Sequence, residues 1–519
     1  MLADPTVSIL GSDPAHRNCV LNGNAFQQDA IRSFGGWQYA CFYSSLASSD
    51  GDVGKREPLY VHVSRRKLPG GPWETLVLKD YPQTTDDGHN TVQLGICPGD
   101  GTIHLSYDHH CDVIRYRYSQ TGVAHDPEAF SWDAALFGGH LSRLPGLGPE
   151  HDQLFSYVTY PRFLPLGPNL LFSFRTGKAG LGDDHLCSYE PQSPASSSAN
   201  TTTDLAATPV GVTADARLRN TSSGDDGGGS GNRPVYAYTL LGTHLQGVSN
   251  NPYVHGLDYR GGQLHATWVW RGFVWYAGWD DARDEQHKAQ AGPNSAANNY
   301  DICHAYSDDG GRTWRNGAGY VVADLRRGQS VRPDAPGITA FAIPKAMGLA
   351  NQEAQALDRA GGVHVLNRDA TDGTLRWKHY YRSPEGTWSQ RPLPYVCAVV
   401  GGRRGRLAVS RDDALYLILP EASSSAAPDG LNAPMGLTIL RTTKADGYAQ
   451  YERVWQRAAA LAGGEPLVDT GRLEDEDVLS VFTRIHTGSG ALRMEVGKGV
   501  ATGEGETEGV AVAVLDFQL

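Results

Sequence analysis

Gly101-Thr102-Ile103-His104-Leu105-Ser106-Tyr107 opens on a glycine turn and then alternates polar and apolar side chains, the period of a β-strand with one buried face. The same order of turn, alternating strand and polar stop returns at 58–63, 167–175, 262–268, 361–366, 413–419 and 475–482. Seven copies, spaced widely enough for further strands between them, predict an all-β chain folded as one seven-bladed β-propeller over residues 1–519. Each copy is expected near the central channel, with connecting loops gathered at one face. Strand-like segments at 6–10 and 509–517 are expected to share the last blade and so close the ring. A two-domain β-sandwich is the structural alternative.

Bulk properties agree with many short strands between turns: Gly 62, Pro 29, Trp 11 and Tyr 24, and no long stretch with an apolar period of 3.6. A net charge of -12 without basic runs argues against nucleic acid or an anionic membrane as partner. A membrane span is not expected, since no apolar run reaches the needed length. Met1-Leu2-Ala3-Asp4-Pro5 lacks a basic start and an apolar core, so any export signal is expected to be absent from this chain. Cys19, Cys41, Cys97, Cys111, Cys187, Cys303 and Cys397 are scattered without a CxxC, which indicates no zinc site and at most one disulfide in prospect. Residues 191–232 are Ser, Thr, Ala, Gly and Asp with almost no large apolar side chain, and are expected to be a disordered insertion in the third blade. Its triplets Asn200-Thr201-Thr202 and Asn220-Thr221-Ser222 are glycan acceptors that fit a secreted protein. Residues 281–298 read as a further surface excursion.

The chemistry-bearing residues collect at strand ends. Thr85-Asp86-Asp87-Gly88-His89-Asn90 leads directly into the apolar run at 91–96, and the strand at 101–107 runs into Asp108-His109-His110. Two adjacent strands thus deliver histidines to one end of one sheet, although turn chemistry and solvated loop histidines explain the same residues. Tyr160-Pro161-Arg162-Phe163 with Phe174-Arg175-Thr176-Gly177, and Tyr253 with Trp270-Arg271, repeat the idea in the next two blades. Their blander readings are core aromatics and surface ion pairs.

Ser307-Asp308-Asp309-Gly310-Gly311-Arg312-Thr313-Trp314 fits the Asp-box pattern of sialidase-type propellers, a turn in which Asp and Gly shape the hairpin and Trp packs between strands. It marks the fold and is expected to have no catalytic role. Together with Gly88-His89-Asn90, the Tyr160, Arg175 and Arg271 stretches and Gly348-Leu349-Ala350-Asn351-Gln352-Glu353-Ala354, it resembles the BNR-repeat propeller polysaccharide lyases. These include the ulvan lyases and the fungal L-rhamnose-α-1,4-D-glucuronate lyases of polysaccharide lyase family 42. The resemblance runs over about residues 35 to 390.

What it implies is a β-elimination that frees rhamnose, with O4, from C4 of a glucuronate in gum arabic-type side chains. His89 and His109 would be the paired histidines, Tyr160 the proton-transfer phenol and Arg175 the carboxylate partner. Asn90, Tyr253 and Arg271 would line the subsites. The physics suits these residue types: removing H5 builds charge on the uronate carboxylate, which a planar guanidinium stabilises, and the syn geometry lets one side face handle both protons. Tyr160 as base and acid, or His109 as base with Tyr160 as acid, both satisfy that geometry. No metal or cofactor is required, although related propellers hold a structural ion in the channel, for which Gln352 and Glu353 are the candidates for calcium here. The expected partner is an acidic polysaccharide or oligosaccharide and the expected state a secreted monomer. Competing readings are an ulvan lyase, a sialidase-like hydrolase, disfavoured by the single clear Asp box, and a non-catalytic sugar-binding propeller, disfavoured by the divergence of the blades.

Overall fold

The structure, a computed structural model, describes residues 1–14, 17–46, 57–191, 237–288, 292–394, 403–422, 433–487 and 509–519. The alternating segments become antiparallel strands because an extended, hydrogen-bonded backbone is what lets every second side chain leave water together. Among the described residues they form seven sheets, and the chain is the seven-bladed propeller that the repeats predict. Blade one is Ile31–Phe34, Trp37–Ser44, Leu59–Lys67 and Glu74–Gln83; blade two is Val92–Ile96, Ile103–Tyr107 and Tyr116–Tyr118. Blade three is Val158–Leu166, Asn169–Lys178, Leu181–Glu190 and Ala237–Gln246. Blade four starts with Asn250–Arg260, Gln263–Gly272 and Asn299–Ser307, and carries three short outer strands. Blade five is Ala354–Leu357, Val363–Asp369, Arg376–Arg382 and Trp388–Pro392, and blade six Arg406–Val409, Ala414–Ala422, Pro434–Thr443 and Glu452–Ala462.

Blade seven is built from both ends of the chain. Leu467–Asp469, Val478–His486 and Val510–Gln518 supply three strands, and Thr6–Ser12 pairs with the last of them, Thr6 opposite Asp516 and Ser12 opposite Ala511. The expected closure is therefore present. The core lies between blades: seven apolar clusters each join a pair of adjacent blades, such as Tyr39, Val63 and Leu78 with Val92 and Leu105, or Tyr253 and Val269 with Val363 and Tyr380. Each sheet buries both faces against neighbours, so a blade has no core of its own.

One expectation about position needs correction. The recurring alternating stretch is the second strand of its blade in six cases, and at 58–63 it belongs to the third strand of blade one. The channel is lined instead by the first strands, through residues such as Arg162, His255, Asp258, Gln355 and Arg406. Second strands read most clearly in sequence because they are paired on both edges and packed on both faces; all seven residues of Val363–Asp369 are buried. First strands carry polar channel groups and blur the alternation.

The Asp box behaves as a turn device. Asp309 accepts from Thr313 N and Thr313 Oγ1 at 2.7 and 2.9 Å, Gly311 N donates to Ser307 Oγ at 2.8 Å, and Trp314 is fully buried. The insertion expected at 191–232 falls, beyond Pro191, among residues 192–236, which lie outside the described residues together with both glycan triplets and Cys397. The other six cysteines are free thiols. Among the described residues no helix is long and apolar enough to cross a membrane.

Two blades hold a buried imidazole pair between their second and third strands: His265 with His304 at 3.1 Å and His364 with His379 at 2.9 Å. Burial pushes His265 down to about 4 and His304 and His379 well below the usual imidazole range, so these rings stay neutral in the fold. The unfolded chain then binds more protons at any pH below about 6.5, and stability must fall as pH drops through that value. The melting temperature is expected to decline between pH 6.5 and 5, above the carboxylate range; a flat profile there, measured by calorimetry, would refute neutral burial of these pairs.

Candidate active site

The start of a first strand and the end of a second strand meet at the same edge of a blade, because the hairpin between them is antiparallel: Thr159 lies opposite Arg175 and Asn251 opposite Arg271. The loop before Val92–Ile96 and the loop after Ile103–Tyr107 meet at that same edge of blade two. Local breaks in regularity then aim the side chains. The register of blade three slips between Ser173 and Arg175, and Tyr160 sits in this bulge with φ +54°, a left-handed conformation that costs a tyrosine on the order of 1–3 kcal/mol. Asp108 and Cys111, at φ +56° and +53°, bracket the second histidine loop in the same way.

The result is a cluster of rings and charges beside a cleft of about 930 Å³. His89 and His110 stack with centroids 3.7 Å apart and planes at 22°, and both Nδ1 atoms lie 2.7 Å from the two oxygens of one carboxylate, Asp87. Phe26, from the turn before blade one, stacks on His89 at 4.5 Å, and the Tyr160 ring lies 5.5 Å from His89. The Arg175 guanidinium sits 4.8 Å from the Tyr160 ring and 5.2 Å from that of Tyr253; Arg271 sits 4.1 Å from Tyr253 and donates to its hydroxyl at 3.1 Å. From blade six, Arg404 lies 4.6 Å over Phe26 and reaches the cleft, with Glu465 Oε1 accepting from its guanidinium and from its backbone N–H.

Charge is distributed unevenly in this cluster. Arg175 and Arg271 are 2 % and 5 % exposed, yet among the described residues neither forms an ion pair with a carboxylate. Arg175 meets Cys111 Sγ, the Gly177 carbonyl and Tyr253, with its Nε buried and unpartnered; Arg271 has Asn299 Oδ1, the Tyr253 hydroxyl and the Asn294 carbonyl. A buried cation is expensive unless an anion meets it. Burial holds the Tyr160 phenol well above its ordinary value, outweighing the pull of Arg175, Arg271 and Arg404, so it is a protonated donor. Burial pushes His110 down to about 3, with His89 adding to it and Asp87 opposing, and His89 is lowered for the same first reason. Burial works against the Asp87 carboxylate as well, but the hydrogen bonds from His110 and His89 outweigh it and hold Asp87 ionised.

Five of the seven residues singled out from sequence meet here: His89, Tyr160, Arg175, Tyr253 and Arg271. Asn90 lines the cleft, its Nδ2 donating to Asp108 Oδ1 at 2.9 Å and its own oxygen buried without a partner. His109 is a correction. Its Nε2 is bonded to Ser106 Oγ at 2.9 Å, and the ring stacked on His89 is that of His110. The left-handed turn at Asp108 exchanges the faces of the two adjacent histidines, which alternation alone could not reveal. Asp87, Phe26 and Arg404 were also missed; Asp87 stood in the turn motif but read as turn chemistry, and the other two lie just before blades one and six without a local signal. The stretch 281–298 is more than a surface excursion, since His287 packs beside His110 and Tyr157 while Glu285 and Lys288 line the cleft.

Gln352 and Glu353 do not fit a calcium ion. The Gln352 amide oxygen accepts from Arg162, one Glu353 oxygen accepts from Gly405 N at 2.7 Å, and burial pushes Glu353 up to about 7. A divalent ion there would sit against fixed guanidinium groups. Asp87, His89 and His110 do bring ligand-type atoms within 4.8 Å of one another, but through short hydrogen bonds that already use the carboxylate.

Residues 37–395 match the BNR repeat-containing family. No curated protein matches the sequence. Among solved structures, the polysaccharide lyase Uly1 is 14 % identical at a TM-score of 0.57, over 95 % of this chain and 90 % of that one. A PL25 ulvan lyase is 12 % identical at 0.53, over 91 % and 93 %, and a PL25 ulvan lyase bound to -[GlcA(1-4)Rha3S]- is 12 % identical at 0.54 over the same shares. Identities of this size speak for a shared propeller fold.

If Arg175 is held for an external anion, the fold should tolerate its removal. Arg175→Met, which keeps the stem and removes the unpaired charge, is expected to raise stability by about 1 kcal/mol. A melting temperature lowered by several degrees would instead make Arg175 a structural residue.

Proposed function

Because the chain belongs to the BNR repeat-containing family, we propose that it is a polysaccharide lyase that opens the L-rhamnose-α-1,4-D-glucuronate link by β-elimination: the C4–O4 bond of the uronate breaks, rhamnose leaves with O4, and a 4,5-unsaturated uronate remains. The observation that carries this reading is the pair of buried guanidiniums without carboxylates, set beside a protonated phenol and neutral imidazoles. Arg175 and Arg271 await an anion, and a uronate carboxylate supplies it in the bidentate geometry that a guanidinium favours. The likeness to a lyase bound to -[GlcA(1-4)Rha3S]- supports the same substrate class.

In this scheme His110, the imidazole that lines the cleft, removes H5 through the nitrogen not held by Asp87. The C5–H pair becomes the C4–C5 double bond as the C4–O4 bond breaks, and the leaving O4 takes the Tyr160 proton. Charge that builds on the carboxylate during the step is met by Arg175 and Arg271. An imidazole at about 3 is a weak base in the empty site, and part of its depression comes from Arg175. Burial and His89 are the larger causes; the bound carboxylate opposes the Arg175 part and so raises the proton affinity of His110. Of the sequence alternatives, His as base and Tyr160 as acid fits the protonated phenol better than a tyrosinate.

Rhamnose without sulfate suits the cleft better than the sulfated repeat of ulvan. Of the charged groups on its walls, Asp86, Asp87, Asp112, Glu285 and Glu465 outnumber Lys288, Arg403 and Arg404, which disfavours a second anion. The proposed substrate, an acidic gum or arabinogalactan-type side chain, lies outside cells, so secretion is part of the same reading.

Incubation with a rhamnose-capped glucuronate oligosaccharide is expected to produce absorbance near 235 nm, faster than from ulvan, and Tyr160→Phe is expected to lower that rate by at least about a hundredfold. A reducing glucuronate without the absorbance would mean hydrolysis, and binding without turnover a lectin. The acid limb of kcat is expected at higher pH than that of kcat/KM, because the bound carboxylate lifts His110. Coincident limbs would remove His110 as the base.

A further inference from the structure

We infer that Asp87 is the positioning residue of this site: one carboxylate fixes both stacked imidazoles as Nδ1–H tautomers, so that each ring keeps its Nε2 as the acceptor. The consequence for turnover rests on the lyase reading; the proton inventory does not.

An ionised carboxylate can only accept hydrogen bonds. Asp87 Oδ1 accepts from the backbone N–H of His89 at 2.9 Å, an interaction that locks the side chain in the turn, and the same oxygen takes His89 Nδ1 at 2.7 Å. Oδ2 takes His110 Nδ1 at 2.7 Å. Neither Nδ1 can be a lone pair at such a distance from a carboxylate, so both carry protons. The rings lie 3.7 Å apart, and two imidazoliums stacked that closely in a buried site, with Arg175 and Arg404 acting on His89, would repel strongly. Two neutral Nδ1–H rings around one anion satisfy every constraint. The neighbouring acids do not compete: Asp86 accepts from the backbone N–H groups of Asn18 and Cys19, and Asp112 from Val113 N and Arg115.

Tautomer control decides whether an imidazole can act as base, because the ring of the opposite tautomer presents N–H where a lone pair is needed. Asp87→Asn is nearly isosteric but carries one acceptor and one donor. It would keep one Nδ1–H bond and force the other ring to accept from the amide, moving that ring's proton to Nε2.

The test is long-range proton–nitrogen NMR on the full chain labelled with ¹⁵N-histidine, the two rings being assigned by loss of signal in His89→Gln and His110→Gln. Both rings are expected to show protonated Nδ1 and unprotonated Nε2 near pH 7, and Asp87→Asn to switch one of them. In the lyase assay Asp87→Asn is expected to lower kcat by about a hundredfold or more with KM within about threefold, and Asp87→Glu to recover at least tenfold of that loss. An unprotonated Nδ1 on either wild-type ring, or an Asp87→Asn enzyme with wild-type kcat, would overturn the inference. If no substrate is turned over, the function proposed above fails while the wild-type spectrum still decides the tautomers.

Discussion

The site exists only because the ring closes. Phe26 precedes blade one and Arg404 precedes the first strand of blade six, yet they meet at 4.6 Å over the imidazoles of blade two. What brings them together is Thr6–Ser12 adding to Val510–Gln518, which ties the first residues of the chain to the last and fixes blade seven between blades six and one. Since each blade buries its faces only against its neighbours, an open ring would expose two apolar sheet faces, and closure is the step that gives the remaining interfaces their full burial. The loops at one pole are then held by a rigid body, and the bulge at Tyr160 is kept in its strained conformation by strands that cannot relax.

Within that frame the chemistry follows from desolvation acting on opposite kinds of group. Burial keeps the imidazoles without their extra proton and the phenol with its own, the protonation states that the proposed elimination requires. Among the described residues the fixed anion between the two imidazoles is Asp87, and both of its oxygens are committed to the two histidines. The guanidiniums of Arg175 and Arg271 therefore set the potential of the site, and a ligand carboxylate changes the balance for every neighbour at once.

Sequence showed the fold because alternation is a property of single strands: Gly101 to Tyr107 declares itself within seven residues, and the Asp box within eight. It showed Tyr160, Arg175, Tyr253 and Arg271 because strand ends are where a propeller places its site. It could not separate His109 from His110. That choice turns on the left-handed backbone of Asp108, whose carboxylate is gripped by Tyr81, Gln83 and Asn90, three residues that no local pattern links to it. Arg404 was hidden for a related reason, since its place in the site is a property of ring closure and not of its neighbours in sequence. Which strand of each blade lines the channel was also misread, because the clearest alternation belongs to the most enclosed strand and not to the innermost.

The channel offers a control for the reading of the site. It too contains enclosed guanidiniums, of Arg162 and Arg406; among the described residues neither is ion-paired, but carboxylates act on them, Asp184, Asp29 and Asp258 on Arg162 and Asp29 and Asp258 on Arg406, while Arg162 also donates to the Val254 and His255 carbonyls and to Gln352. The same fold thus sets carboxylates near one group of enclosed cations. Around Arg175 the principal partners are Tyr253, Tyr160 and Cys111, and around Arg271 they are Tyr253, Tyr160 and two further arginines. A chain able to balance its cations in one place and leaving them unbalanced thirteen residues from the other is best understood as holding that imbalance for a ligand. The distance between Arg162 and Arg175 along the sequence is one hairpin, and across it the neighbours change from carboxylates to phenols and a thiol.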